Sequence, residues 1–451
     1  MIRSCNFSEL GLTELLNEEG FVCACGKYHH TDVKDIIIGH GVLNQIPEQV
    51  RKHGGSKPFL LADKNTYRAA GQRVASILEE RGIPFSYYIH PQEYLEPDEY
   101  SLGQAAMNFD PKCDIIIGIG SGTLNDIGKM LAKVTNRQLI IVGTAPSMDG
   151  YTSGTSSMAS AGIKVSLPSA CAAAIVADMD VICQAPMIML QAGLGDMLAK
   201  YISICEWRIS HLINGEYYCE QIAVLIRRSL ENCIQAARGL TGRDPAAVKS
   251  ILEGLLLTGI AMSFAGASRP ASGIEHYFSH IWDMRALEFH TNSDLHGIQV
   301  GIGTVLALKI YEQLYAIQPN KEKALRYVDQ FRLKEYHAFL HRFLGSGAAG
   351  LILLEQKEGK YSKEKHSLRL ERILQHWDDI LEIIRQELPK QTEIVKLLKE
   401  IGAPTHPSEL GFSEELVRHT FHATKDIRDK YSVSRLLWDL GELDAIAEGL
   451  A

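Results

Sequence analysis

The chain has 451 residues, of which 46% are hydrophobic and 22% charged, the make-up of a folded protein of two or three domains. A formal net charge of -8 excludes the broad basic face that bulk nucleic-acid binding needs, though not a local basic pocket for a phosphate. Nine cysteines, scattered and odd in number, point to reduced thiols in a cytoplasm and away from a disulfide framework.

Residues 1–30 read as an N-terminal extension. It opens MIRSCNFSEL, where no apolar run follows the basic start, so no secretory leader is expected. Cys23, Cys25, His29 and His30 lie close together in it. Their spacing is not a usual zinc-finger spacing, and the extension reads as a packed cap on the first domain. From 31 to 185 short apolar runs alternate with helical stretches. Asp35–Gly39, Pro58–Asp63, Phe85–Ile89, Asp114–Gly118 and Leu139–Gly143 read as strands, and Thr66–Arg81 as a helix. That alternation predicts an α/β domain with a mostly parallel sheet covered on both faces. Pro186 and Gly193–Gly195 mark a change. Beyond it, 186–451 reads as all-helical. Ile251–Ala267, interrupted by Glu253, Thr258 and Ser263, reads as a buried core helix, and no segment reads as membrane-spanning. Glu355–Lys365 reads as a solvated loop.

Chemistry concentrates in a few segments. Gly118-Ile119-Gly120-Ser121-Gly122-Thr123 follows a strand and opens a helix near Asn125. Its glycines let the backbone approach a phosphate, and the free N–H groups of a helix start favour an anion. The run is neither G-x-G-x-x-G nor a Walker sequence, so it specifies neither the usual dinucleotide fingerprint nor an NTPase. A tight turn without a ligand is the plainer alternative. Asp63, ending an upstream strand, suits ribose hydroxyls and repels a 2′-phosphate, which favours NAD over NADP. It suits equally the N-cap of the helix before Thr66. Gly143–Gly150, continued by Tyr151–Ser157, is a loop rich in glycine and hydroxyls of the kind that binds ligands at the carboxyl ends of parallel strands. An ordinary flexible loop is its alternative.

Asp196 lies in Gly193-Leu-Gly-Asp196, where a helix is expected to begin. His276 and His280 are spaced i, i+4 and so share one helical face. His296 opens the run His296-Gly-Ile-Gln-Val-Gly. One carboxylate with imidazoles suits zinc, nickel or iron with positions left open for substrate. Glu275 precedes His276, so the pattern is not the H-E-x-x-H of a metalloprotease. Taken singly, Asp196 also suits an N-cap, and each histidine a packed or surface position.

Taken together, Gly118-x-Gly-Ser-Gly-Thr123, Thr144-Ala-Pro-Ser-Met-Asp-Gly150, Gly193-Leu-Gly-Asp196, Glu275-His276-x-x-x-His280 and Leu295-His296-Gly-x-Gln-Val-Gly301 resemble sn-glycerol-1-phosphate dehydrogenase, in particular its bacterial AraM-like branch. The wider group holds glycerol dehydrogenase, iron-containing alcohol dehydrogenases and dehydroquinate synthase. The resemblance runs from about residue 35 to 305 and resumes at Gly402-Ala-Pro-Thr405 and Arg428-Asp-Lys-Tyr431. It implies a dehydroquinate synthase-like fold: a nucleotide-binding α/β domain over 31–185, then a helical metal- and substrate-binding domain over 186–451.

The resemblance also implies a metal-dependent reduction of dihydroxyacetone phosphate to sn-glycerol 1-phosphate, and the reverse. NAD(H) would be the cofactor, with NADP(H) as the alternative, beside one divalent ion, zinc or nickel. Asp196, His276 and His296 match the metal ligands. Gly118, Ile119, Gly120, Ser121, Gly122, Thr144, Ala145, Pro146, Ser147 and Ser153 match cofactor-contacting positions, which Asp63 would join. Asp149, Asp196 and His280 match substrate-touching positions, and Asp196, His276, His280 and His296 form the catalytic group. Lys164 and Arg269 are candidates for the substrate phosphate. The segment between His280 and His296 is longer than the family pattern and carries an extra His290; Leu295-His296-Gly297 fits the pattern better than Phe289-His290-Thr291. The expected partner is a small molecule, without nucleic acid or membrane, in a cytoplasmic protein that would assemble, if at all, as a homodimer. The alternatives are a glycerol dehydrogenase-like polyol oxidoreductase, a dehydroquinate synthase-like lyase needing more basic groups, and a silent nucleotide-binding regulator.

Overall fold

A computed structural model describes residues 6–160 and 163–450; the opening MIRSC of the extension, Cys5 included, lies outside the described residues. The extension forms a short antiparallel hairpin, β1 (Phe21–Val22) and β2 (Tyr28–His29). There follow β3 (Asp35–Gly39), β4 (Pro58–Asp63), β5 (Ser86–His90), β6 (Ile115–Gly120) and β7 (Gln138–Gly143). An antiparallel hairpin, β8 (Thr155–Ser160) and β9 (Ile163–Pro168), precedes β10 (Ala174–Asp178). Strands β3-β10-β7-β6-β4-β5 form one sheet in that order, every pairing parallel.

The apolar runs of these strands are continuous because a parallel sheet is covered on both faces. All six residues of β6 are buried. Ile115, Ile117 and Ile119, two apart and therefore on one face, join Leu60, Ile140, Val142 and Val176 in a core with Val74 and Leu78. The covering helices are α1 (Ile46–Lys52), α2 (Lys64–Thr66), α3 (Gln72–Glu80), α4 (Glu99–Met107), α5 (Gly122–Thr135) and α6 (Met179–Ile182). A π-turn, Tyr67–Gly71, joins α2 to α3, so the helix expected over Thr66–Arg81 is continuous. The chain goes from β4 out to β5, then returns to lay β6 on the other side of β4. Strand order therefore reverses between β4 and β6, and the crevice beyond their carboxyl ends is where such sheets bind ligands.

The chain clusters into two compact units, Met1–Met197 with Glu220–Ser268, and Leu198–Cys219 with Arg269–Ala451. The long helix α7 (Met187–Asn214) carries the chain from the first into the second. Helices α8 (Glu220–Ala236) and α9 (Pro245–Ala265) return to the sheet-bearing unit. The reason is visible on α9, where Leu256 C=O accepts the Thr152 hydroxyl at 2.8 Å. The second unit has helices and no strand among its described residues: after the end of α7 it continues with α10 (Ile274–Phe289) and α11 (His296–Leu314). Two helical stretches, Pro245–Ala265 and Leu333–Glu358, are long and apolar enough to cross a membrane by length and composition; the first is mostly buried in the fold.

Two local expectations change. Glu355–Lys365 is not a solvated loop: helices Ala348–Glu358 and Lys363–Gln375 occupy most of it, and buried Glu355 bonds His337 at 3.1 Å. The run Tyr151–Ser157 enters β8 at Thr155, because its backbone pairs with β9 however polar its side chains are.

Candidate active site

The carboxyl ends of β6 and β7 are adjacent, with Gly120 opposite Gly143 in the register. Gly120 C=O accepts from Thr144 N–H at 3.1 Å, which ties the two loops at their roots. Ser121 is the N-cap residue of α5, yet its side chain does not cap the helix. The hydroxyl reaches Ala145 C=O at 3.1 Å and Ser147 Oγ at 2.6 Å instead. Buried Tyr151 donates to the same Ala145 carbonyl at 2.7 Å. Burial pushes its phenol up to about 12, so it remains a neutral donor. These contacts leave the α5 N-terminus with no side-chain cap and its first N–H groups available to an anion.

Helix α7 passes close to this loop. A Cβ at Gly193 would fall 1.9 Å from Pro146 C=O, so only glycine permits the approach. Three residues on, Asp196 is fully buried and accepts the Asp149 N–H on Oδ2 at 2.9 Å. It lies well inside α7, not at its start, which removes the N-cap reading. Asp63 does act as an N-cap: Oδ1 accepts from Asn65 and Thr66 N–H, both at 2.8 Å, in a capping box. Ser153 lies in a segment anchored by Lys129, which sequence reasoning did not single out. That ammonium is fully buried, donates to Gly150 C=O at 3.0 Å and Ser153 Oγ at 3.2 Å, and lies 3.4 Å from Asp126. In sequence it is an ordinary helix lysine; only its burial distinguishes it.

In the second unit α10 and the start of α11 bring three imidazoles together. Ring centroids are 5.1 Å apart for His276 and His296, 5.9 Å for His280 and His296, and 6.1 Å for His276 and His280. His276 Nδ1 lies 2.8 Å from Glu275 Oε1, so with that oxygen as acceptor the ring donates from Nδ1 and Nε2 is the nitrogen suited to a metal. His296 Nδ1 lies 3.3 Å from Ser279 Oγ, whose one hydrogen goes to Gln299 Oε1 at 2.8 Å. His296 therefore donates from Nδ1 too, and Nε2 is again the nitrogen suited to act as a ligand. Asp196, His276 and His296 make a donor group of one carboxylate and two imidazoles that can hold a metal ion. The donor set suits a borderline divalent ion.

Glu206, also missed from the sequence, stands behind this array. It accepts from Ile274 N–H at 3.1 Å and Val433 N–H at 2.8 Å. Burial first, then the charge of Glu275, pushes its carboxyl up to about 8. The segment after His280 is not a loop at first: α10 runs to Phe289 with Trp282, Asp283 and Met284 buried. His290 follows in the left-handed region at φ 52° and begins an exposed stretch to Leu295. Arg269 is not available for a substrate phosphate, because its buried guanidinium is bonded to Glu216 at 2.7 and 2.6 Å and to Tyr431 C=O. Lys164 lies on β9.

The chain matches the iron-containing alcohol dehydrogenase family over residues 37–186. It is 34% identical over 303 residues to a glycerol-1-phosphate dehydrogenase [NAD(P)+] of Bacillus velezensis, covering 65% of this chain and 77% of that protein. It is 28% identical over 424 residues to the enzyme of that name from Halalkalibacterium halodurans, covering 93% of this chain and 95% of that one. It is 32% identical over 278 residues to the one from Hyperthermus butylicus, covering 61% and 77%. Among solved structures, a probable glycerol dehydrogenase of Sinorhizobium meliloti shares the fold at a TM-score of 0.59 and 15% identity, covering 92% of this chain and 98% of that one.

Proposed function

The chain belongs to the glycerol-1-phosphate dehydrogenase family and is an NAD(P)-dependent oxidoreductase, and from that premise we propose that Asp196, His276 and His296 hold the divalent ion with which it interconverts dihydroxyacetone phosphate and sn-glycerol 1-phosphate. The observation that carries this reading is the engagement of His276 and His296 at Nδ1, by Glu275 Oε1 at 2.8 Å and Ser279 Oγ at 3.3 Å, which suits Nε2 to coordination. Zinc and nickel both suit that donor set.

When bound, the ion supplies Lewis-acid polarisation of the substrate carbonyl and the nicotinamide supplies the hydride. The chain's own groups position the reactants. The backbone from Gly118 to Gly122 and the α5 N-terminus receive the cofactor pyrophosphate. Thr144–Ser147, braced by Ser121 and Tyr151, forms the neighbouring wall, and Lys129 keeps Ser153 in place. Asp149 and His280 orient the substrate, and His280 passes a proton to the new hydroxyl. Glu275 and Ser279 hold the imidazoles of His276 and His296 in register. None of the eight described cysteines is joined in a disulfide, which suits a reducing cytoplasm.

Metal-stripped protein given back zinc or nickel is expected to oxidise NADH or NADPH with dihydroxyacetone phosphate, and to prefer glycerol 1-phosphate to glycerol in reverse. His296→Ala should lose the catalytic equivalent of metal and turnover; His290→Ala should keep both. Preference for glycerol would favour a polyol dehydrogenase, and His296→Ala that binds as many equivalents of metal as wild type would remove His296 from the ligand set.

A further inference from the structure

The N-terminal extension carries donor chemistry that the dehydrogenase reaction does not use. Strands β1 and β2 pair Phe21 with His29 and Val22 with Tyr28, and the turn between them is Cys23-Ala-Cys25-Gly-Lys27. Cys23 C=O accepts from Gly26 N–H at 3.0 Å, and Cys23 N–H donates to Lys27 C=O at 3.1 Å. Gly26 takes φ +85°, a conformation that favours glycine. The turn folds the backbone around sulfur: Cys25 N–H points at Cys23 Sγ at 3.5 Å, a contact that stabilises a thiolate. Cys25 Sγ lies 3.3 Å from His29 Nε2. Two ligands of one tetrahedral zinc, with bonds of about 2.3 Å to sulfur and about 2.0 Å to nitrogen, would be ~3.5 Å apart.

The fourth member comes from far along the chain. Cys219 immediately precedes α8, and Gln221 at the start of that helix accepts Phe7 N–H at 3.0 Å. One ligand atom from each of Cys23, Cys25, His29 and Cys219 lies within 4.8 Å of the others. Cys23, His29 and Cys219 are 5% exposed or less. His29 is set for coordination through its other nitrogen, with Nδ1 2.7 Å from Phe264 C=O. A carbonyl can only accept, so the ring donates there and Nε2, the nitrogen that faces Cys25 Sγ, is the one suited to coordinate.

We propose that Cys23, Cys25, His29 and Cys219 bind a zinc ion, a second metal site whose role is structural. Three thiolates and one imidazole fill a tetrahedral zinc and leave no position for substrate. The hairpin has strands of two residues each and is too small to hold its shape alone. The zinc clamps it to the start of α8, beside Phe7 and Phe264, whose rings pack on His29 and on Phe21. The sequence spacing concealed this site because Cys219 supplies one ligand from another element.

The test uses full-length protein purified without chelator from zinc-supplemented cells. The His276→Ala variant, impaired only at the proposed catalytic ion, should retain one equivalent of zinc that resists dialysis against EDTA. Titrating its thiols with an organomercurial should release that zinc in step with thiol modification. Cobalt grown into the same variant should show a thiolate-to-cobalt charge-transfer band. Cys219→Ser in the wild-type background should lose one equivalent, melt at lower temperature, and keep dihydroxyacetone phosphate turnover. A His276→Ala protein free of zinc would overturn the proposal. So would thiols that react without metal release, or that are joined in a disulfide, and neither result depends on whether Cys219→Ser folds.

Discussion

Glu275→Gln separates the part of the metal array that binds from the part that orients. Glu275 Oε1 accepts the Nδ1–H of His276 at 2.8 Å and Gly273 N–H at 2.6 Å, with both side chains buried. Glutamine preserves the shape and one acceptor oxygen but removes the charge. A charge-assisted hydrogen bond is worth about twice a neutral one, so the exchange forfeits about 1–1.5 kcal/mol of His276 orientation and basicity. That corresponds to a loss in metal affinity of roughly tenfold, the lower end of the 10- to 100-fold expected when a ligand's supporting partner is removed. A second effect opposes it in the metal-free protein. Glu206 is raised to about 8 partly by the charge of Glu275, and neutralising Glu275 relieves that repulsion. The stripped variant should therefore melt no lower than stripped wild type, while its zinc affinity, measured against a chromophoric chelator, falls about tenfold. Turnover should recover at saturating zinc. Unchanged affinity, or a lower melting point with unchanged affinity, would show that Glu275 merely braces the turn at Gly273.

Glu206 itself makes stability depend on pH. Its folded value of about 8 stands above the ordinary 4.5, so the folded protein holds a proton that the unfolded chain releases. Its contribution is complete below about 4.5 and is lost as pH rises toward 8. Glu206→Gln should accordingly gain on wild type in urea midpoint between those two pH values; a constant difference would refute the assignment. Asp63→Asn keeps an N-cap side chain while removing the charge. It should raise the NADPH to NADH ratio of kcat/KM without lowering Tm, and an unchanged ratio would leave Asp63 as a helix cap alone.

What could be read in the sequence is whatever lies within one element. The strands around Pro58–Asp63 and Leu139–Gly143 follow from unbroken apolar runs, since a strand buried on both faces has no polar side to show. The common helical face of His276 and His280 follows from their spacing alone. The tight passage from β6 to α5 follows from Gly118, Gly120 and Gly122, clustered where the strand ends and the helix begins.

Tertiary structure decided what depends on partners remote in sequence. Asp196 could be read as an N-cap because nothing local shows that α7 has already begun at Met187. Arg269 looked available to a phosphate until the fold brought Glu216 against it, and nothing local marks Lys129 as the buried lysine that holds Ser153 and the approach to β8. Helices α8 and α9 pack with the sheet-bearing unit although their composition is that of the helical region, because helical periodicity says which face is apolar but not what it meets. Cys23 and Cys25 make an incomplete donor set by spacing, and Cys219 joins them only through the fold. Hydrophobic pattern and local hydrogen bonding are short-range and can be read along the chain. Burial, ion pairing and metal ligation depend on which surfaces the chain brings together, and so only the folded structure specifies them.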